Sequence, residues 1–378
     1  MPPRSRRSIS SREPDGGPDR FRDSTMIFRP VSKYSLVNAK VRARLSTLLA
    51  PAQIDRLAEA RDLAEFYTAL SDTIYRDIFE QPEISFDPRV AERLLLEREI
   101  EWTSDLLKDL KGAERDLVSH FLEKYEIENL KTALRIREGN RDLDEMKYLV
   151  RERLPHSLPY QAIAEAGSLE DAVSYLSGTP YLKAVNAVID DYREKKTLFP
   201  VEINLEIDYY SRLKEKIEAL GKRDREIARR LVGLEIDRTN LAWLIRLKFY
   251  YDVPTGDLFE YNIPGGYRMT SDRLRRSFKA ESIKDVLNLA LESSFKNASE
   301  ILVQGEELSK LYLLEIILWN YLITEAKRTL GGFPFTIGTI LSYLILKRTE
   351  IRNLITILNG KVYKMDRAAI ESHLRVSF

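Results

Sequence analysis

The chain has 378 residues, 44% hydrophobic and 31% charged, with 60 Lys+Arg against 59 Asp+Glu and a net charge of +1. That size buries a substantial core across two or three domains, and sparse Gly (16) and Pro (15) exclude a collagen-like or wholly disordered chain. The charge balance argues against a dedicated nucleic-acid binder, and the lack of cysteine excludes disulfides, thiolate metal sites and cysteine nucleophiles.

Residues 1–25 hold six Arg and four acidic residues among Ser, Gly and Pro, so they cannot bury enough apolar surface to fold. Residues 1–30 are accordingly expected to be a disordered extension, a basic arm or a passive tail, with Met26 as an alternative start. From Tyr34 the pattern is helical: Val37, Val41, Leu45 and Leu48 form one apolar stripe, which Pro51 ends. Further breaks fall at Pro155 and Pro159, Gly178–Pro180, Pro200, Pro254, Pro264–Gly266 and Gly331–Pro334, separating runs of strong helix formers. Alternating strands are nearly absent, and Asn359–Gly360 reads as a helix C-cap. The fold is expected to be all-α. No run reaches the roughly 20 apolar residues of a bilayer span. Nor does Met1–Ser24 hold the apolar core of a signal peptide, so a cytosolic chain is expected.

Internal repeats organise the chain. A helix carrying Glu-Ile before an Asn occurs at Glu126–Leu130, Glu235–Leu241 and Glu350–Leu354, its Asn129, Asn240 and Asn353 standing 111 and 113 residues apart. Tyr34 before Asn38 makes a degenerate fourth copy. Six residues after each Asn stand Arg44, Arg135, Arg246 and, breaking the pattern, Asn359. Between these helices lies a second element, Leu70-Ser71-x-Thr73-x-Tyr75 and Leu176-Ser177-x-Thr179-x-Tyr181, with a weaker copy at Leu291-x-Ser293-x-Phe295. The two alternate through the chain and give three units of about 110 residues. Their expected bounds are residues 31–150, 151–262 and 263–378.

Each residue of note has a structural and a functional reading. Asn is a poor residue for a helix interior, so Asn38, Asn129, Asn240 and Asn353 are expected to hold a loop or a neighbouring helix end by hydrogen bonds. The alternative presents them to a ligand. Arg44, Arg135 and Arg246 sit 120° around the helix from their Asn, flanking the apolar stripe. They are either intramolecular ion-pair residues or a set facing a shared partner. His120, His156 and His373 are far apart, without metal-ligand spacing, and read as surface or helix-end imidazoles. No Gly-x-x-x-x-Gly-Lys-Ser/Thr exists to cradle phosphates, and no His stands ready for a triad, so neither cofactor nor small-molecule substrate is expected.

The segments Tyr34–Arg44, Tyr125–Leu130, Glu235–Lys248, Pro264–Gly266 and Ile340–Lys361 together resemble the C-subunit family of V-type and A-type rotary ATPases, over about residues 30–378. The resemblance implies three pseudo-symmetric helical domains forming a funnel and a non-catalytic role in the central stalk. In it the funnel sits on the membrane proteolipid ring and receives the axle subunits D and F, peripherally on the cytoplasmic side. The extended N-terminus and Asn359 depart from the family pattern. A generic helical adaptor, or an enzyme working through carboxylates, would share the composition.

Overall fold

The computed structural model describes residues 20–81, 87–250, 256, 259, 261–291 and 307–375. Most of the expected disordered extension, and Ser293 and Phe295 of the third second-element copy, lie outside them. Among the described residues the chain is all-helical, without a strand, and no helix is long and apolar enough to cross a membrane.

The long helices are α1 (Arg20–Leu45), α2 (Pro88–Leu106), α3 (Gly112–Arg137), α4 (Phe199–Glu218), α5 (Lys222–Ile245), α6 (Glu307–Leu330) and α7 (Ile337–Val362). Their starts follow local chemistry. Asp87 accepts from the Arg89 amide with Pro88 in the first turn of α2, and Thr336 accepts from the Gly338 amide at the start of α7. Pro200 lies in the first turn of α4, where its missing N–H costs nothing.

Helices α2 to α7 form a closed ring, since α2 packs on α3, α3 on α4, α4 on α5, α5 on α6, α6 on α7, and α7 again on α2. The connectors α2–α3, α4–α5 and α6–α7 share one end of it. Helix α1 marks that end: Lys33 pairs with Glu114 of α3, and Tyr34 donates to Asp224 of α5, which also accepts the Ile337 amide of α7. Of the expected stripe, Val37 and Val41 are fully buried and Leu45 is half-buried. But α1 ends at Leu45, so Leu48 lies beyond it, and Pro51 opens the next helix, Pro51–Glu59, instead of ending this one.

Packing joins the two ends of the chain. Leu49, Ile54, Phe66, Leu70 and Tyr75 share a core with Ile351, Leu354, Leu358 and Ile370. The first copy of the second element thus lies on α7, the last long helix. The other complete copy, around Tyr181, lies on α3 and crosses the sequence boundary at 150.

Three further expectations change. Helix α1 begins at Arg20, inside the segment expected to be disordered, because extending an anchored helix needs far less than nucleating one. Gly360 is not a C-cap: α7 runs through it to Val362, and a Cβ there would lie 2.5 Å from Ile370 Cγ1, so the glycine allows a close approach of the helix Arg367–Ser372. His120 is buried within α3, its ring stacked on Tyr209 and its nitrogens facing Glu123 and the Tyr209 carbonyl.

Candidate functional site

The repeated helices α3, α5 and α7 each carry two pins. Asn129 donates to the Val150 carbonyl, 21 residues on. Asn240 exchanges both hydrogen bonds with the backbone of Ile263, 23 residues on, and Asn353 does the same with Arg375, 22 residues on. A mid-helix amide facing a loop offers one donor and one acceptor, which is what an unpaired peptide unit needs. Asn38, the degenerate copy, leaves its buried Oδ1 without a partner.

Three residues before each Asn stands a buried acid. Glu126 accepts from the His156 amide (2.6 Å), His156 Nδ1 (2.7 Å) and the Tyr181 hydroxyl (2.6 Å). Asp237 accepts from the Arg268 and Met269 amides at 2.6 and 3.0 Å. Gly266 leaves the space Asp237 needs, since a Cβ there would lie 2.3 Å from its Oδ1. Glu350 accepts from the Leu49 amide, the Tyr75 hydroxyl and Lys347. These pins fix each repeated helix against its loops and turn another face toward the ring centre.

On that face, five residues before each Asn, stand Lys124, Glu235 and Arg348. They meet. Arg348 lies 3.1 Å from Glu235 and 3.2 Å from Glu99 of α2, and Lys124 lies 3.4 Å from Glu235. Burial alone would raise the Glu235 carboxyl, but Lys124 and Arg348 overcome it and hold it at about 2. One turn toward the connector end, Phe121, Val232 and Ile345 make an apolar layer with Leu231, Leu341 and Leu344. On the other side of the ion cluster a cavity of about 360 Å³ opens, lined by Lys124, Glu128, Arg238, Glu315, Trp319, Arg352 and Arg375 among others. The centre of the ring is therefore charged toward one end and apolar toward the other.

The repeated arginines lie between neighbouring helices. Arg44 bonds Asp105 (2.6 Å) and the Trp102 carbonyl of α2 (2.8 Å), Arg135 bonds both oxygens of Glu202 on α4 (2.6 Å each), and Arg246 bonds Glu315 on α6 (2.6 Å). Of the three, Arg246 adjoins the cavity, because Glu315 lines it. Among the described residues no group of acids and histidines is placed to hold a metal ion.

Of the central residues, Lys124 and Arg348 were not singled out in the sequence, and Glu235 entered only as the start of the Glu-Ile element, matched there to Glu126 and Glu350. The structure gives that place to Asp237 and sets Glu235 beside Lys124 and Arg348. The signal was their constant offset from each Asn, obscured because the three positions carry different residue types.

A model of the ATP synthase (C/AC39) subunit family matches residues 37–373. The chain belongs to that family. It is 25% identical over 358 residues to the A-type ATP synthase C subunit of Methanocaldococcus jannaschii, covering 91% of this chain and 86% of that one. The C subunit of the Methanosphaera stadtmanae enzyme is 27% identical, covering 88% of this chain and 86% of its own. That of Thermococcus gammatolerans is also 27% identical, over 87% and 86%. The family match spans the whole ring, so this member of the V/A-type ATPase C-subunit family carries all of its charged cavity except Arg375 inside the matched region.

Proposed function

We propose that the chain is the non-catalytic central-stalk component of a V/A-type rotary ATPase, a socket coupling the axle subunits D and F to the membrane proteolipid ring for proton or sodium transport. The observation that carries this reading is the convergence of α3, α5 and α7 on one charged cavity, backed by an apolar layer and enclosed by a closed helical ring. The finer reading is a funnel of three pseudo-symmetric units, supported by pins that recur at offsets of 21, 23 and 22 residues. The open end takes the axle and the connector end meets the proteolipid ring, peripherally on the cytoplasmic side. A closed ring braced by internal ion pairs suits torque transmission, since load on one helix passes to both neighbours. Arg44, Arg135 and Arg246 enter the proposal as border residues of the socket, with Arg246 nearest the opening. No cofactor, small molecule or nucleic acid has a part.

Pull-down of the purified chain with detergent-solubilised proteolipid ring and with the D–F axle tests the proposal. Capture of both is expected; capture of neither ends it.

A further inference from the structure

The cavity holds carboxylates and cations, but its charges are not equally engaged. Glu235 is engaged by Arg348 and Lys124, Glu315 by Arg246, and Glu128 by Lys131 at 3.3 Å. Each acid lining the cavity therefore already has a cation. Two guanidinium groups have no such match. Arg238 Nε is buried without a hydrogen-bond acceptor, and Arg352 stands exposed at the cavity with no carboxylate in ion-pair distance among the described residues. Buried donors are nearly always satisfied, so an orphaned one beside a cavity marks a missing acceptor.

Trp319 holds Arg238 in place. Its indole N–H donates to Thr349 Oγ1 at 2.9 Å, which locks the ring, and the guanidinium groups of Arg238 and Arg375 lie 4.9 and 5.4 Å from its centroid. Stacking on an aromatic face positions a guanidinium while leaving its N–H edge free to donate. The guanidinium fork matches a carboxylate with two parallel hydrogen bonds.

We infer that the cavity is a receptor for carboxylates at the tip of an inserted protein segment, with Arg238 and Arg352 as the residues that recognise it. This deepens the socket proposal and rests on it: the occupant is the axle, and the part that reaches the cavity is acidic. A cavity of about 360 Å³ takes a few side chains, not a domain, so recognition lies at a segment's end. A protein segment is favoured over a free polyanion because Leu96, Tyr125 and Trp319 give the cavity apolar wall beside its charges, which suits the stem of a peptide side chain better than a fully charged ion.

The test uses the full chain, the purified D–F axle, an oligo-glutamate peptide, an oligo-lysine peptide and tripolyphosphate. Arg238→Gln and Arg352→Gln are each expected to weaken axle binding about tenfold and to flatten its dependence on salt. The wild type is expected to bind oligo-glutamate and not oligo-lysine. Arg76→Gln, an exposed side chain outside the cavity lining, serves as the control, with binding expected unchanged. If the wild type captures no axle, the socket proposal fails, and oligo-glutamate binding that is lost in both variants still upholds the receptor. Axle binding indifferent to both substitutions overturns the receptor while leaving the socket standing. Binding of tripolyphosphate without oligo-glutamate overturns it in favour of a small-polyanion site.

Discussion

The Tyr75 hydroxyl donates a hydrogen bond to the Glu350 carboxylate across 275 residues of chain. Leu49 and Lys347 donate to the same carboxylate, so a buried charge on α7 is satisfied largely by the opposite end of the protein. Tyr75→Phe keeps the ring and removes that donor. A hydrogen bond to a charged group contributes about 1.5–3 kcal/mol, so the variant is expected to lose that much stability in urea denaturation. Hydrogen exchange supplies a second check: amides of Ile54 and Phe66 are expected to exchange in step with those of Leu354, since they share one core. An unchanged urea midpoint would contradict the closure.

The Asn pins differ in burial, and their substitutions should differ accordingly. Asn240→Ala strands the N–H and the carbonyl of Ile263, which is 1% exposed, and is expected to cost about 2–4 kcal/mol. Asn353 holds the backbone of Arg375, a half-buried residue where water replaces part of the lost bonding, so Asn353→Ala is expected to cost about 1 kcal/mol. Thermal melts of both variants decide, and equal losses would refute the explanation by burial.

The ion cluster should fail in a characteristic way. Arg348→Met leaves Glu99 and Glu235 facing each other across the ring without their shared cation, at an expected cost of about 3–5 kcal/mol. Adding Glu235→Gln to that variant should recover part of the loss. In the wild type the depressed Glu235 carboxyl contributes stability that is complete above its ordinary value near 4.5 and is lost as pH falls toward about 2. Acid titration of Glu235→Gln should show a shallower fall across that window.

Helical content and the Asn pins were legible in the sequence because both rest on local rules: helix formers at regular spacing, and a polar residue recurring where helices disfavour it. The partners of those Asn residues were legible only as a class, loop backbone, since the loop that folds back is set by tertiary packing. Glu350 and Tyr75 show the limit. Nothing local in either segment announces that α7 takes its second element from the start of the chain. Gly360 misled for a related reason, because a glycine needed for close approach to Ile370 and one needed as a cap look alike in sequence. The cavity arginines escaped notice because Arg238 and Arg352 sit at different offsets from their Asn, and only the ring brings them together.

The repeated arginines separate two roles experimentally. Arg135 is held bidentately by Glu202, and Arg44 and Arg246 each have one carboxylate, all partly exposed. If they brace the ring, Ala at each position should lower stability by about 0.2–1 kcal/mol without changing axle affinity. If they border the socket, axle affinity should fall by a similar amount and become less sensitive to salt, because one screened charge contact is gone. Melting curves and axle binding on the three variants distinguish these outcomes. Arg246→Ala is expected to move both readouts, because it also frees Glu315 beside the cavity, whereas Arg135→Ala is expected to move stability alone.

Asp237 has the opposite pH sense to Glu235. Burial raises its carboxyl from 3.8 to about 6, because the backbone amides of Arg268 and Met269 and the nearby Arg268 guanidinium offset only part of the desolvation. An acid whose folded value lies above its unfolded one binds its proton more tightly in the native state. Its contribution is therefore complete below about 3.8, declines as pH rises, and is gone above about 6. A rise of that size corresponds to roughly 3 kcal/mol, at most, lost across that interval. The Glu235 effect is confined to pH below 4.5, so a comparison between pH 5 and 7 isolates Asp237. Asp237→Asn retains one acceptor but turns an amide donor toward a backbone N–H, so the variant is expected to be less stable at every pH. Its deficit relative to the wild type should shrink as pH rises from 5 to 7, because only the wild type loses the proton-linked contribution. Urea midpoints of both proteins at pH 5, 6 and 7 measure this, and a deficit that stays constant across the range would place the Asp237 carboxyl back at its ordinary value.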